Sequence, residues 1–289
     1  DLRNSGLTTL TYFADRIPDN CFENCKDLTN VEIVNNLVYV GAKAFNNCGK
    51  LEKVVFSENA GSEFIYEKAF NNCTALEDVI LPNSATHYEK EAFNNCTNLI
   101  KVLFQANSYI SVNDGSIFTG CSNLTTFTVD ENNKNYKVNN NLLTSLDGLT
   151  IYLAANGFNY NEYIIPEGYE YIAEGAFSGI SSLTKLTISD DIKVIGKRAF
   201  ENCKNLTDVV LPNKEIEILS YAFNNCSSLE NINLENLKTF NEYVLSNTAI
   251  KELNINATSI KEGAFANMKE LTTINVSVNE ITPYAIRNN

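Results

Sequence analysis

The chain has little of what most enzymes and nucleic-acid-binding proteins depend on. Its 289 residues contain one histidine, His87, and 22 lysines and arginines against 35 aspartates and glutamates, a formal net charge of −13. That surplus repels phosphate backbones and anionic membranes at long range, so nucleic acid is not an expected partner. The acidic residues are spread along the chain, as solubility alone requires. No run approaches about eighteen consecutive apolar residues, so no direct membrane insertion is expected. Thirteen glycines and five prolines are too few to build a linker. The phosphate-cradling, dinucleotide-binding and zinc-helix patterns G-x-x-x-x-G-K-S/T, G-x-G-x-x-G and H-E-x-x-H are missing, so no cofactor is expected. Asp1-Leu2-Arg3 has neither the basic nor the apolar region of a signal peptide, and the first residue is not Met. A leader or anchor is therefore expected to be processed away or to lie outside this chain.

What is present is apolar material, 44% of the residues, arranged in a repeat. The pattern L-x-x-h-x-h, with h apolar, runs through Leu51-Glu-Lys-Val54-Val-Phe56, Leu76-Glu-Asp-Val79-Ile-Leu81 and Leu206-Thr-Asp-Val209-Val-Leu211. Its copies begin at residues 7, 28, 51, 76, 99, 124, 183, 206, 229, 250 and 271. The terminal x-h-x-h alternates with period two and is rich in Val, Ile and Phe, which predicts a short half-buried strand. Stacked at about 4.8 Å per coil, about twelve coils would build one parallel sheet on the order of 55 Å long, each coil burying its neighbour.

A second signature precedes most strands. Ala44-Phe45-Asn-Asn47-Cys48 recurs as Ala69-Phe70-Asn-Asn72-Cys73, Ala92-Phe93-Asn-Asn95-Cys96, Ala199-Phe200-Glu-Asn202-Cys203 and Ala222-Phe223-Asn-Asn225-Cys226. Phe, Cys and the next Leu stand three apart, which predicts a short helical turn with all three on its inner side. The Asn before Cys is expected to bond backbone that stacking would otherwise orphan. One interval, from 124 to 183, breaks the rhythm. There Val129-Asp-Glu-Asn-Asn-Lys-Asn-Tyr136 leads to Leu142-Leu143, Asp147-Gly148 and Thr150-Ile151-Tyr152-Leu153, and Asp-Gly between apolar runs signals a tight hairpin. We read an enlarged coil over about 130–168 carrying a β-hairpin inside a single domain, 1–289. A domain boundary there is the alternative.

The phrases A-F-x-N-C-x-x-L-x-x-V, I-x-x-x-A-F and V-D-x-N-N-x-x-Y with its Leu-Leu and Asp-Gly resemble the BspA-type leucine-rich repeats. The resemblance covers roughly Leu7 to Ile286. It departs at Val244-Leu245 and Ala285-Ile286, which replace Ala-Phe, and at Ile180, Thr248 and Met268 near or at the Cys position. It implies an α/β repeat solenoid: a right-handed leucine-rich-repeat coil with one long parallel sheet and short helical turns opposite it. It also implies an adhesin-like protein at the cell surface or secreted, recognising protein or glycan on a host or neighbouring cell.

Seven of the eight cysteines, 25, 48, 73, 96, 121, 203 and 226, share one repeat slot, which suits neither the paired ligands of zinc nor bridging between parallel Cβ vectors. Buried reduced thiols are expected, and no metal site. Free thiols are unusual in secreted proteins, which leaves open an intracellular interaction scaffold. A targeting module of a larger enzyme is a third reading, because both ends look unfinished and suggest part of a longer chain; within this one, a monomer suffices. Seven N-x-S/T sequons, at Asn72, Asn95, Asn123, Asn205, Asn225, Asn256 and Asn275, read as chance, since a glycan on an inward-turned Asn72, Asn95 or Asn225 would disrupt the coil. His87 has no nucleophile near it, and the pairs Asp130-Glu131 and Asp190-Asp191 follow strands where solvated turn charges are normal, so no catalytic residue is expected.

The outward x positions remain. One column reads Thr9, Asn30, Lys53, Asp78, Lys101, Thr126; the other reads Thr11, Glu32, Val55, Ile80, Leu103, Thr128. Val55, Ile80 and Leu103 are consecutive and flanked by Lys53, Asp78 and Lys101. An apolar strip with a charged rim is the candidate ligand-binding face. The hairpin around Asp147 to Tyr152 is the next candidate.

Overall fold

The computed structural model describes residues 2–112, 115–157 and 159–288. The chain divides into two compact units, Asp1–Leu146 with Ala154–Phe158, and Asp147–Leu153 with Asn159–Asn289. The division falls within the enlarged coil.

The first unit winds as a β-solenoid. Its strands are β1 (Thr9–Tyr12), β2 (Arg16–Ile17), β3 (Asn30–Ile33), β4 (Leu37–Val40), β5 (Lys53–Phe56), β6 (Ser62–Ile65), β7 (Asp78–Ile80), β8 (Ala85–Tyr88), β9 (Lys101–Phe104), β10 (Tyr109–Val112), β11 (Thr126–Val129), β12 (Tyr136–Asn139) and β13 (Leu142–Ser145). β1, β3, β5, β7, β9 and β11 form the expected parallel sheet, in the register the repeat dictates. A second parallel sheet, β2, β4, β6, β8 and β10, was not legible in the period-two pattern. Its strands are short, and both middle residues of β4 and of β6 escape burial, which erases the alternation.

The segments opposite are not helical. Among the described residues of this unit the one helix is a 3-10 turn at Gly115–Phe118. Within a coil, Ala44 N bonds Gly41 O, Asn46 N bonds Lys43 O and Cys48 N bonds Phe45 O, but Phe45 N and Asn47 N leave the coil for Ala69 O and Asn71 O, at 2.7 and 2.9 Å. A helical turn would keep those donors inside. Left-handed residues at Lys43 and Asn47 reverse the chain and aim every second N–H along the stack. The slot before Cys holds Asn at φ between 56° and 62° in Asn47, Asn72, Asn95, Asn202 and Asn225, and Asn tolerates that region better than other branched or bulky side chains.

Inside the first unit, Phe22, Phe45, Phe70, Phe93 and Phe118 form a continuous column of stacked rings with centroids 4.8–5.6 Å apart, all essentially buried. Four slot cysteines of this unit donate their thiols to the Phe carbonyl of the coil before, Cys48 to Phe22, Cys73 to Phe45, Cys96 to Phe70 and Cys121 to Phe93, at 3.1–3.3 Å, and Cys25 donates to Leu2 O at 3.2 Å. A small apolar side chain with one weak donor fits this slot, and none of the eight cysteines is bridged.

The enlarged coil supplies a hairpin, β12 paired antiparallel with β13 through Asn140-Asn141, both left-handed as a two-residue reverse turn requires. The hairpin turn therefore lies at Asn-Asn. Asp147 instead holds its own loop by accepting from Leu149 N at 2.9 Å. The preceding V-D-x-N-N-x-x-Y phrase is structural. Asn133 donates to Gln105 O and Ser108 O and accepts from Tyr136 N, and the Tyr136 hydroxyl accepts from Ile110 N at 3.0 Å on the second sheet.

The second unit repeats the scheme with β14 (Thr150–Ala154), β15 (Glu162–Ile164), β16 (Tyr171–Ile172), β17 (Lys185–Thr187), β18 (Val194–Ile195), β19 (Asp208–Val210), β20 (Glu217–Ile218), β21 (Asn231–Ile232), β22 (Thr239–Phe240), β23 (Glu252–Ile260) and β24 (Thr273–Ile281). β15, β17, β19 and β21 run parallel, as do β14, β16, β18 and β20. In the 21-residue coil that begins at 250 the loop between the two strands disappears. β23 is then one nine-residue strand, pairing Ser259-Ile260 with β22 and most of its length with β24. The Phe column here is shorter, Phe177, Phe200 and Phe223, and ends where Leu245 takes the slot. Gly263 stands at φ +65 beneath the Tyr243 ring, where a Cβ would come within 2.4 Å of that ring.

Candidate binding face

In the first sheet of the first unit, Lys53, Asp78 and Lys101 are direct register partners, and so are Val55, Ile80 and Leu103. The inward neighbours Val54, Val79 and Val102 are buried, so period two turns both columns outward. The charged column is exposed and the apolar one half-buried. Among the described residues, no hydrogen bond or ion pair ties the side chains of Lys53, Asp78 or Lys101 to another protein group. A shallow groove beside the strip, lined by Thr9, Thr11, Asn30, Glu32, Lys53 and Val55, continues the face toward β1.

In the matching columns of the second unit most polar side chains pair with one another, around an open groove lined by Asp208, Val210, Asn231, Asn233, Glu252 and Asn254. Lys185 meets Glu162 at 2.9 Å. Thr207 and Asn231 both donate to Asp208, whose carboxyl they hold below its ordinary range. Asn233 accepts from Leu211 N and donates to Leu211 O, so its amide is spent on backbone.

Five of the buried slot thiols and three of the turn carboxylates are held by their surroundings. Burial pushes the Cys48 and Cys203 thiols up to about 12 and those of Cys96, Cys121 and Cys226 well above the ordinary range, so none is a thiolate near neutral pH. Asp130 accepts from Asn132 N, Asp191 from Gly168 N and Asp190 from Asn213 N, all as loop caps. Among the described residues no group of three His, Cys, Asp or Glu side chains could hold a metal ion, and no helix is long and apolar enough to cross a membrane.

The Asn before Cys does not bond orphaned backbone. Asn47 donates to Asn24, Asn72 to Asn47, Asn95 to Asn72 and Asn225 to Asn202, a side-chain ladder at 3.0–3.2 Å. Asn72, Asn95 and Asn225 thus lie at the surface, half-buried or exposed, and are not inward-turned. The neighbours Asn46, Asn71 and Asn224 are the buried ones; in the first unit Asn94 donates to Asn71 and Asn71 to Asn46 in a second ladder, whereas in the second unit Asn224 donates to the Glu201 carboxylate.

One exposed cluster escaped the repeat pattern. On the second sheet of the first unit Arg16, Tyr39, Phe64 and His87 are successive register partners. Tyr39, Phe64 and His87 form with Tyr66 a surface row of rings, and Arg16 stands at its end. The clue was an apolar-rich segment ahead of each Ala-Phe, but its residue types differ from coil to coil.

The description BspA type leucine rich repeat region fits residues 15–148, 152–272 and 256–289, in six copies. The chain belongs to the BspA-type leucine-rich repeat family. No protein of curated function matches its sequence significantly. Among solved structures, a leucine-rich repeat protein from Eubacterium ventriosum is similar over 96% of this chain and 82% of its own, with a TM-score of 0.67 and 19% identity. A leucine rich cell surface protein from Faecalibacterium prausnitzii covers 96% and 88%, at TM-score 0.56 and 22% identity. The pneumococcal vaccine antigen PcpA covers 96% and 68%, at TM-score 0.63 and 21% identity. At such identities the likeness establishes a shared solenoid fold and leaves ligands to each protein's own surface.

Proposed function

We propose that this BspA-type chain is a non-catalytic binding module, at the cell surface or secreted, that recognises protein or glycan on a host or neighbouring cell in an adhesin-like way. The observation that carries the reading is the strip Val55, Ile80 and Leu103, flanked by Lys53, Asp78 and Lys101 with no protein partner for their charges among the described residues. The apolar column can desolvate against a partner while the rim charges set orientation. A surface location is supported by the description of the F. prausnitzii relative as a cell surface protein. The test is binding of fluorescently labelled protein to cultured epithelial cells and to whole bacterial cells. Ile80→Asp is expected to weaken binding about tenfold or more while the thermal melt stays nearly unchanged. Binding that survives Ile80→Asp overturns the strip as the site.

The eight unbridged cysteines favour a second reading, an intracellular interaction scaffold. Antibody labelling of intact against permeabilised source cells separates the two.

A further inference from the structure

We propose that the second sheet of the first unit carries a separate recognition platform for neutral carbohydrate, built on Tyr39, Phe64, Tyr66 and His87. The proposal shares with the preceding one only the assumption that the chain binds a ligand, and it stands or falls independently of the Ile80 strip.

The rings form one continuous surface. Tyr39 and Tyr66 have centroids 5.6 Å apart, Tyr66 and Phe64 lie nearly parallel at 5.7 Å, and His87 meets Phe64 edge-on at 5.8 Å. Each stands outward because its strand neighbour, Val40, Ile65 or Tyr88, is drawn into the core. Phe64 is 37% exposed although it could bury an aromatic payload, and the other three rings are half-buried. Their polar atoms are unspent. Among the described residues neither the Tyr39 and Tyr66 hydroxyls nor the His87 ring makes a hydrogen bond to protein.

Those two properties together select the occupant. Ring faces carry the negative end of the aromatic quadrupole and attract the polarised C–H groups on the flat side of a hexose. Phenol and imidazole groups both donate and accept, which matches a ligand whose rim is hydroxyls that do the same. A lipid or an apolar helix would leave these polar groups desolvated without partners, at a cost. The charge balance points to a neutral sugar. Exposed Glu63 adjoins Phe64, the Arg16 guanidinium beside Tyr39 is already paired with Asp15 at 3.4 Å, and the whole chain is at −13, so no unpaired cation among the described residues of the column favours sulfated or phosphorylated glycans.

The experiment is affinity electrophoresis of the full chain in gels containing soluble β-1,3-glucan, α-mannan, xylan or galactomannan, followed by calorimetry with the matching oligosaccharide. At least one polysaccharide is expected to retard the protein. Phe64→Ala and Tyr66→Ala should weaken that binding by about tenfold or more with little change in the melt, whereas Ile80→Asp should leave it intact. Tyr66→Phe, which keeps the ring and removes only the hydroxyl, should weaken it less and guards against loss of fold in the alanine variants. Failure of all four polysaccharides to retard the protein overturns the proposal. So does retardation that neither Phe64→Ala nor Tyr66→Phe alters, or binding that Ile80→Asp abolishes together with Phe64→Ala.

Discussion

The two units obey the same repeat yet treat their first sheets differently. In the second unit the outward charges are consumed within the face: Lys185 pairs with Glu162, and Asp208 collects donors from Thr207 and Asn231. In the first unit Lys53, Asp78 and Lys101 alternate in sign down one column, with no hydrogen bond or ion pair to protein among the described residues, beside three apolar side chains. The inward positions set the coil in both. The outward positions decide whether a face satisfies itself or is left for something else to satisfy. Interiors differ too, since the first unit stacks five Phe rings and the second stacks three before Leu245 interrupts.

The hardest test of this contrast is Phe93→Ala. Phe93 is fully buried between Phe70 and Phe118, and removing its ring should cost about 3–5 kcal/mol in denaturant melts. Asn94→Ala next to it loses one amide bond to Asn71 and should cost about 1 kcal/mol. Equal losses would mean that the coil's inside and outside are reversed.

Binding provides the next test. Ile80→Asp should weaken cell binding about tenfold or more, whereas Val210→Asp, at a 51% exposed position in the same kind of column of the second unit, should leave it unchanged. If both substitutions weaken binding alike, the outward positions do not distinguish the units.

Alkaline pH reads the thiol slots in both. Cys203 is held near 12 in the folded chain against an ordinary value of about 8.5, so its contribution to stability is complete below about pH 8.5 and is lost as pH climbs toward 12. The unfolded chain releases the proton first, and each such thiol should give up about 1 kcal/mol by about pH 9.5. Melts from pH 7.5 to 9.5 check this, and Cys203→Ala should flatten the decline. Rapid native labelling of the buried thiols by a maleimide would contradict it.

The smallest effect is expected at Lys185. Both members of its pair are more than half exposed, so Lys185→Ala should leave the melt unmoved. A measurable shift would show that the self-paired columns of the second unit stabilise it.

How far these features could be read in advance follows from how each is encoded. The two columns of the first sheet came straight from period two, because every coil repeats the same alternation and stacking forces Val55, Ile80 and Leu103 into line. Tyr39, Phe64 and His87 align equally well, but four different residue types occupy that column, Arg16 included, so no recurring letter marked them. The Asn-Asn pair was plain, but its role was not. Whether an amide bonds backbone or its own copy one coil away depends on stacking distance.

By itself the sequence determined the solenoid and the inward set of Leu, Val, Phe and Cys, because burial in a stack demands the same apolar type at the same slot each time. It also determined the left-handed turns in one respect, by supplying Asn where positive φ is required. Tertiary structure decided that those turns send alternate N–H groups to the next coil instead of closing a helix. It also decided that Asn side chains ladder and that a second sheet exists. Which outward charges find partners was decided there as well. Each of these is a contact between residues some 20 to 25 apart in sequence, whose geometry exists only once coils lie about 4.8 Å apart.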